Sequence, residues 1–254
     1  MSLADPRSAS ASFLGLRFDL VDQTTAIATV LDLAQRASFA YIATPNVDHV
    51  VRLHRQRDNR RLWAAYENAV LCLCDSRILK GLAKLSGLRL DLVAGSDLTA
   101  ELLASHPEVR RAAVIGGDEA LIRDLRTLYP TVTWDWHAPP QGVLRNAAAQ
   151  LEIAEFVEQC SAGLFFFAIG SPQSEIVCQL IAERGKARGV GLCIGASLEF
   201  ATGVKARAPL WMQRLGLEWL FRLGSEPARL WRRYLVEGPQ IFLIWWRWRL
   251  NPSR

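Results

Sequence analysis

Asp75 is the residue best placed for acid–base chemistry. It follows the apolar run Val70-Leu71-Cys72-Leu73-Cys74, so a buried strand delivers a carboxylate at its carboxyl end. A carboxylate there can stay solvated and take a proton from an attacking hydroxyl. Asp is also a favoured N-cap, and a helix opening at Ser76 offers it that duty. Thr44 and Asn46, in Thr44-Pro45-Asn46, suit contacts to a sugar or phosphate, and they serve equally as turn and cap residues. Gly116-Gly117 and Gly170-Ser171-Pro172 are strand-to-helix turns. Their backbone N–H groups are suited to phosphate, but neither completes a GxGxxG or a Walker loop, and an empty tight turn fits as well.

The other reactive side chains point away from metal and disulfide chemistry. Cys72, Cys74, Cys160, Cys178 and Cys193 are odd in number and lack CxxC spacing, which predicts buried core thiols in a reducing compartment. His49, His54, His106 and His137 have no ligand spacing, and Trp134-Asp135-Trp136 holds a lone Asp rather than an acidic cluster for a divalent ion. No metal site and no cofactor is expected.

The last fifty residues are unlike the rest. From Lys205 to Arg254 ten Lys/Arg stand against three acids, a local charge of +7, whereas the whole chain carries +5. The residues before it therefore carry −2. The same segment holds six of the nine tryptophans: Trp211, Trp219, Trp231, Trp245, Trp246 and Trp248. Indole beside arginine suits an anionic membrane surface or a phosphate-bearing ligand. Trp231, Trp245, Trp246 and Trp248, with Arg247 and Arg249, are the expected membrane contacts. Trp211, Leu215 and Trp219 fall at helical spacing, and Arg222, Arg229 and Arg232 share a face if their segment is helical. Three guanidiniums on one face form a diphosphate clamp; a solvated basic face is the alternative. Nucleic acid is not the expected partner.

These residues need a frame. Apolar runs at 39–43, 69–74, 112–115, 164–169 and 191–194 read as strands, with a strand or hairpin arm at 13–20. Helical patterns fall at 24–36 (Thr24 or Thr25 near its start), 47–56, 76–86, 119–129, 151–160 and 174–184, and Pro227 opens a further helix. Alternation of this kind predicts a Rossmann-like, mostly parallel sheet with helices on both faces. The strand ends Thr44, Asp75, Gly116, Gly170 and Gly195 would converge on the crevice such sheets use for ligands. Composition divides the chain into an α/β catalytic core, 1–203, and a basic, Trp-rich helical appendage, 204–254. No apolar run reaches the roughly 20 residues a spanning helix needs, and the polar start carries no signal-peptide pattern.

Residues 206–223, Ala-Arg-Ala-Pro-Leu-Trp-Met-Gln-Arg-Leu-Gly-Leu-Glu-Trp-Leu-Phe-Arg-Leu, followed by Glu226-Pro227 and Arg229, closely resemble the signature of the WecG/TagA/CpsF glycosyltransferases, glycosyltransferase family 26. Phe13-Leu14-Gly15, Thr44-Pro45-Asn46, Gly95-Ser96-Asp97-Leu98, Gly116-Gly117, Gly170 with Pro172 and Glu175, and Gly195-Ala196 extend the likeness along nearly the whole chain. The resemblance implies an inverting, metal-independent transfer of a sugar from a UDP-sugar to an undecaprenyl-diphosphate-linked (polyprenyl-diphosphate-linked) saccharide. The setting it implies is bacterial surface polysaccharide synthesis, in the cytoplasm at the inner face of the plasma membrane, with homo-oligomerisation left open. It carries the role of base to Asp75, with Thr44 and Asn46 beside it. Arg207, Arg222, Arg229, Arg232, Gly116, Gly117, Gly170, Glu175 and Gly195 become donor- or diphosphate-binding residues. Two departures stand out. The family's Asp-Gly is here Asp75-Ser76-Arg77, and in its GxPxQE turn Ser174 takes the place of glutamine. A catalytically altered binding protein of the same fold is the alternative.

Overall fold

Strands such as Leu164-Phe165-Phe166-Phe167 are apolar at every position because both faces of their sheet are covered. The computed structural model describes residues 9–250; residues 1–8 and 251–254, the outer ends of the two expected segments, lie outside them. A hairpin of β1 (Ser10–Phe13) and β2 (Leu16–Asp19) leads into α1 (Gln23–Leu33), β3 (Phe39–Ala43), α2 (Val47–Arg55) and α3 (Arg60–Glu67). Then come β4 (Leu71–Cys72), α4 (Arg77–Leu85), α5 (Gly95–Ser105), β5 (Arg111–Gly116), α6 (Glu119–Leu128) and β6 (Thr133–His137). The core ends with α7 (Ala147–Gln159), β7 (Leu164–Ala168), α8 (Gln173–Arg184), β8 (Gly189–Cys193) and α9 (Ser197–Ala201).

Strands β3 to β8 form one parallel sheet in the order β4-β3-β8-β7-β5-β6. Helices α2, α3, α4, α7 and α8 pack on one face, and α1, α5, α6 and α9 on the other. Neighbouring strands therefore send their chains to opposite faces at β3/β8, β8/β7, β7/β5 and β5/β6, and ligand crevices of open sheets lie at such places. The cysteines are free, and all but Cys160 are buried.

Helix α1 begins at Gln23, with Thr24 and Thr25 in its first turn as expected; its cap is Asp22, whose carboxylate accepts from the Thr25 N–H at 2.8 Å. Helices α3 and α5 and strand β6 add to the expected elements. Helix α3 buries only Leu62, Ala65 and Tyr66 behind a polar surface. Helix α5 opens on Gly95-Ser96 with no side-chain cap. Strand β6 is an edge strand that buries Trp134 alone, held by an Arg111–Asp135 ion pair at 2.7 Å.

The appendage comprises α10 (Leu210–Arg214), α11 (Glu218–Ser225), α12 (Pro227–Trp231), a π-helical segment (Arg232–Glu237) and α13 (Gln240–Leu250). Pro227 opens α12 as its first residue. Trp211, Leu215 and Trp219 do not form one stripe, because Gly216 at φ +74° ends α10. Arg222 is likewise separated from Arg229 and Arg232 by the break at Glu226. Trp245 and Trp248 are not solvent-facing. Trp245 Nε1 donates to Ser86 Oγ at 2.8 Å, and the Trp248 ring meets Phe13 edge-on at 5.2 Å. Both pack on the core, whereas Trp231 and Trp246 are exposed. Arg249 stacks over Trp245 and donates to the Leu85 carbonyl.

Candidate active site

Strand β4 is short, and its continuation decides where Asp75 goes. Asp75 N donates to the Pro45 carbonyl at 3.1 Å, while Val93 N donates to the Cys74 carbonyl at 3.0 Å. The exit of β4 is thus held between the turn after β3 and the segment entering α5. Capping of α4 falls to Ser76, whose Oγ accepts the Leu79 N–H at 3.2 Å. Asp75 is therefore not the cap of α4. Its carboxylate faces the Gly95 backbone N–H at the start of α5, which favours its charged form.

Gly95 is the hub of this corner. A Cβ there would sit 3.1 Å from Thr44 Oγ1 and 3.5 Å from Ser197 Oγ, so the close approach of β3, α5 and α9 needs a residue without a side chain. Thr44 is buried, and its hydroxyl donates to the Cys193 carbonyl at 3.1 Å. It ties the ends of β3 and β8 together rather than opening to solvent. Asn46 caps α2 through its Oδ1, which accepts the Asp48 N–H at 3.0 Å.

The appendage closes over this corner. Gly216 packs against Arg77, and α11 brings Glu218 and Arg222 close enough to act on the Asp75 charge. The Arg222 guanidinium also lies over the Phe200 ring, 5.1 Å from its centroid. Arg207 reaches Asp97 Oδ1 at 2.6 Å and Ser96 Oγ at 3.3 Å at the head of α5. Burial pushes the Asp75 carboxyl up from 3.8 to about 7; Glu218 and Asp97 add to the rise, and the Gly95 N–H and Arg222 oppose it. A carboxyl poised near neutrality can exchange a proton with a hydroxyl substrate.

The remaining expected residues are distributed around this centre. Gly117 lines a cavity of about 270 Å³ with Asp118, Ala120, Leu121, Glu199 and Val204; Glu199 was not singled out from sequence. Beyond it, Lys205 pairs with Glu199 at 2.6 Å, and Arg229 with Glu226 at 2.5 Å. Arg232 is exposed and pairs with Glu237 at 3.4 Å, so it stands apart from Asp75's neighbours. Gly116, Gly170 and Gly195 take positive φ at the ends of β5, β7 and β8. Ser174, in the family's glutamine position, folds back on the Gly170 and Phe167 carbonyls, and Gln173 bonds the Ile169 carbonyl. Glu175 does not line the crevice: it is 2% exposed and faces His49, with Oε1 3.6 Å from Nε2. Among the described residues no three His, Cys, Asp or Glu are grouped to hold a metal ion, and no helix is long and apolar enough to cross a membrane.

The chain is thus a doubly wound parallel sheet with a carboxylate at one strand end, beside a basic helical cover. A model of the Glycosyl transferase WecG/TagA/CpsF family matches residues 11–254, nearly the entire chain. The chain belongs to this family, a glycosyltransferase family of bacterial surface polysaccharide synthesis.

Proposed function

We propose that the protein moves a sugar, with inversion and without a metal, from a UDP-sugar to a polyprenyl-diphosphate-linked saccharide. Asp75 takes the proton of the acceptor hydroxyl. That oxygen attacks the anomeric carbon from the face opposite the diphosphate, and the C–O bond to UDP breaks as the new one forms. Arg222 stabilises the charge gathering on the leaving diphosphate, a contribution of several kcal/mol in comparable sites. Arg229 joins it when phosphate takes the place of Glu226. The single observation that carries this reading is the uncapped, partly buried Asp75 carboxyl, with Arg222 of the appendage acting on it. Ser76, which replaces the family's glycine, is occupied in capping α4, so the departure leaves the base intact and favours an enzyme over a binding protein.

The cavity beside Gly117 supports placing the nucleoside there, with its diphosphate pointing towards Asp75. The outer face of α13 supports membrane docking: Phe242, Leu243, Trp246 and Leu250 are exposed, at helical spacing and beside Arg247. Trp231, Leu235 and Val236 of the appendage are exposed as well, and apolar side chains among arginines suit a headgroup layer. A screen of UDP-linked sugars against a short polyprenyl-diphosphate saccharide tests the assignment. Transfer from one donor, with an inverted anomeric product in excess EDTA, is the expected result; absence of transfer from every donor, or a retained anomer, contradicts it.

A further inference from the structure

Beneath the turn that holds Asp75 lies a second ionisable cluster with no part in the transfer described above. Glu175 projects from α8 into the body of the protein, and its Oε2 is buried without a hydrogen-bond partner. Facing its carboxyl are His49 from α2, Tyr66 from α3 and Ser171 from the turn after β7, with Arg52 of α2 beyond. Arg52 Nη1 donates to Ser171 Oγ at 3.0 Å, and the Tyr66 hydroxyl lies 3.2 Å from that same oxygen. His49 is the link outward. Its Nδ1 accepts the Asn46 backbone N–H at 3.1 Å, closing a capping box at the head of α2. Nδ1 also lies 2.8 Å from Asn46 Oδ1, so this ring nitrogen ties His49 to Asn46 while Nε2 faces Glu175. One residue before Asn46, the Pro45 carbonyl holds the Asp75 backbone N–H.

A chain of contacts therefore runs from Glu175 to His49 at 3.6 Å, from His49 to Asn46 by hydrogen bond, and from Pro45 to the backbone of Asp75. We propose that Glu175 and His49 are positioning residues that act through the turn 44–46 to fix where the Asp75 carboxyl sits. Burial works against charge on both: it pushes the Glu175 carboxyl up to about 7 and holds the His49 imidazole well below its usual range. The pair braces the turn through the contact between carboxyl and imidazole, and that contact weakens when an amide replaces the acid. The inference rests on the assignment of Asp75 as base, and its test is built so that the two can fail separately.

Glu175→Gln keeps the shape and removes the acid. His49→Asn keeps an acceptor for the Asn46 N–H and removes the reach to Glu175. Two NMR readouts need no sugar transfer: the ring-nitrogen shifts of His49 and the carboxyl-carbon titration of Asp75. In Glu175→Gln and in His49→Asn the Asp75 midpoint is expected to move by about half a pH unit or more. Where transfer is measurable, each variant lowers kcat about tenfold with donor KM changed less than about twofold, and the double variant is no worse than either single one. An unmoved Asp75 midpoint overturns the proposal, as do independent, multiplying losses in kcat or losses that follow only the folded fraction. A chain that transfers no sugar but shows the Asp75 shift would sink the enzymatic reading and leave the coupling standing.

Discussion

The carboxyl of Asp75 is poised by burial, and that fixes its pH behaviour. As a general base it works deprotonated, so kcat/KM should rise about tenfold per pH unit on the acid side and level off above an inflection near 7; initial rates across pH 5–9 check this. Stability runs the other way. Asp75 and Glu175 titrate near 7 when folded, against 3.8 and 4.5 as ordinary groups. Between those values the native state holds more protons than the unfolded chain, so their contribution is fully present at low pH and is lost as pH rises towards 7. Glu175→Gln should therefore raise the Tm at pH 8 relative to the parent and change it little at pH 4, by calorimetry. Sequence spacing pointed to Asp75 but left it between base and cap. What separated the roles was the Ser76 hydroxyl, one residue later. His49 could not be recognised, because its meaning depends on Glu175, 126 positions away in the chain, which a helix on the same face of the sheet brings against it.

Among the elements, α4 and α5 jointly present the base. The Ser76 cap holds the first turn of α4, and losing it in Ser76→Ala should cost about 1 kcal/mol in denaturant unfolding, with Ser76→Gly costing only a few tenths. In the glycine variant Asp75 keeps its Pro45 and Gly95 partners, so activity should stay within a few-fold. Helix α11 supplies the opposing charge. Arg222→Ala should lower kcat about 100-fold, and Arg222→Lys should recover only part of it, since a point ammonium cannot span a diphosphate as a guanidinium does. The strands of the sheet were legible because doubly covered strands are apolar throughout. The edge strand β6 was hidden by its half-polar Thr133-Trp134-Asp135-Trp136-His137, and α5 by its glycine-serine opening. In the appendage the arginine face is broken at Glu226 and the tryptophan stripe at Gly216, so one helix becomes several.

For the whole molecule, the appendage has two unlike surfaces. One is tied to the core by Trp245, Trp248 and the Arg55–Glu237 and Arg233–Asp48 ion pairs, at 3.1 and 3.3 Å. The other exposes Phe242, Leu243 and Trp246. Composition announced the tryptophans but could not sort them, because adjacent residues on a helix face different ways. Trp248→Ala should cost roughly 2 kcal/mol or more in stability with vesicle binding unchanged per folded molecule. Trp246→Ala should leave the Tm nearly unaltered and weaken sedimentation with anionic vesicles. The account turns on one carboxyl under one arginine-bearing helix. The most direct test is single-turnover transfer by Asp75→Asn, with UDP-sugar binding followed by calorimetry. The account predicts a loss of about 1,000-fold in the transfer rate with donor affinity and fold retained. Turnover within a few-fold of the parent would contradict it.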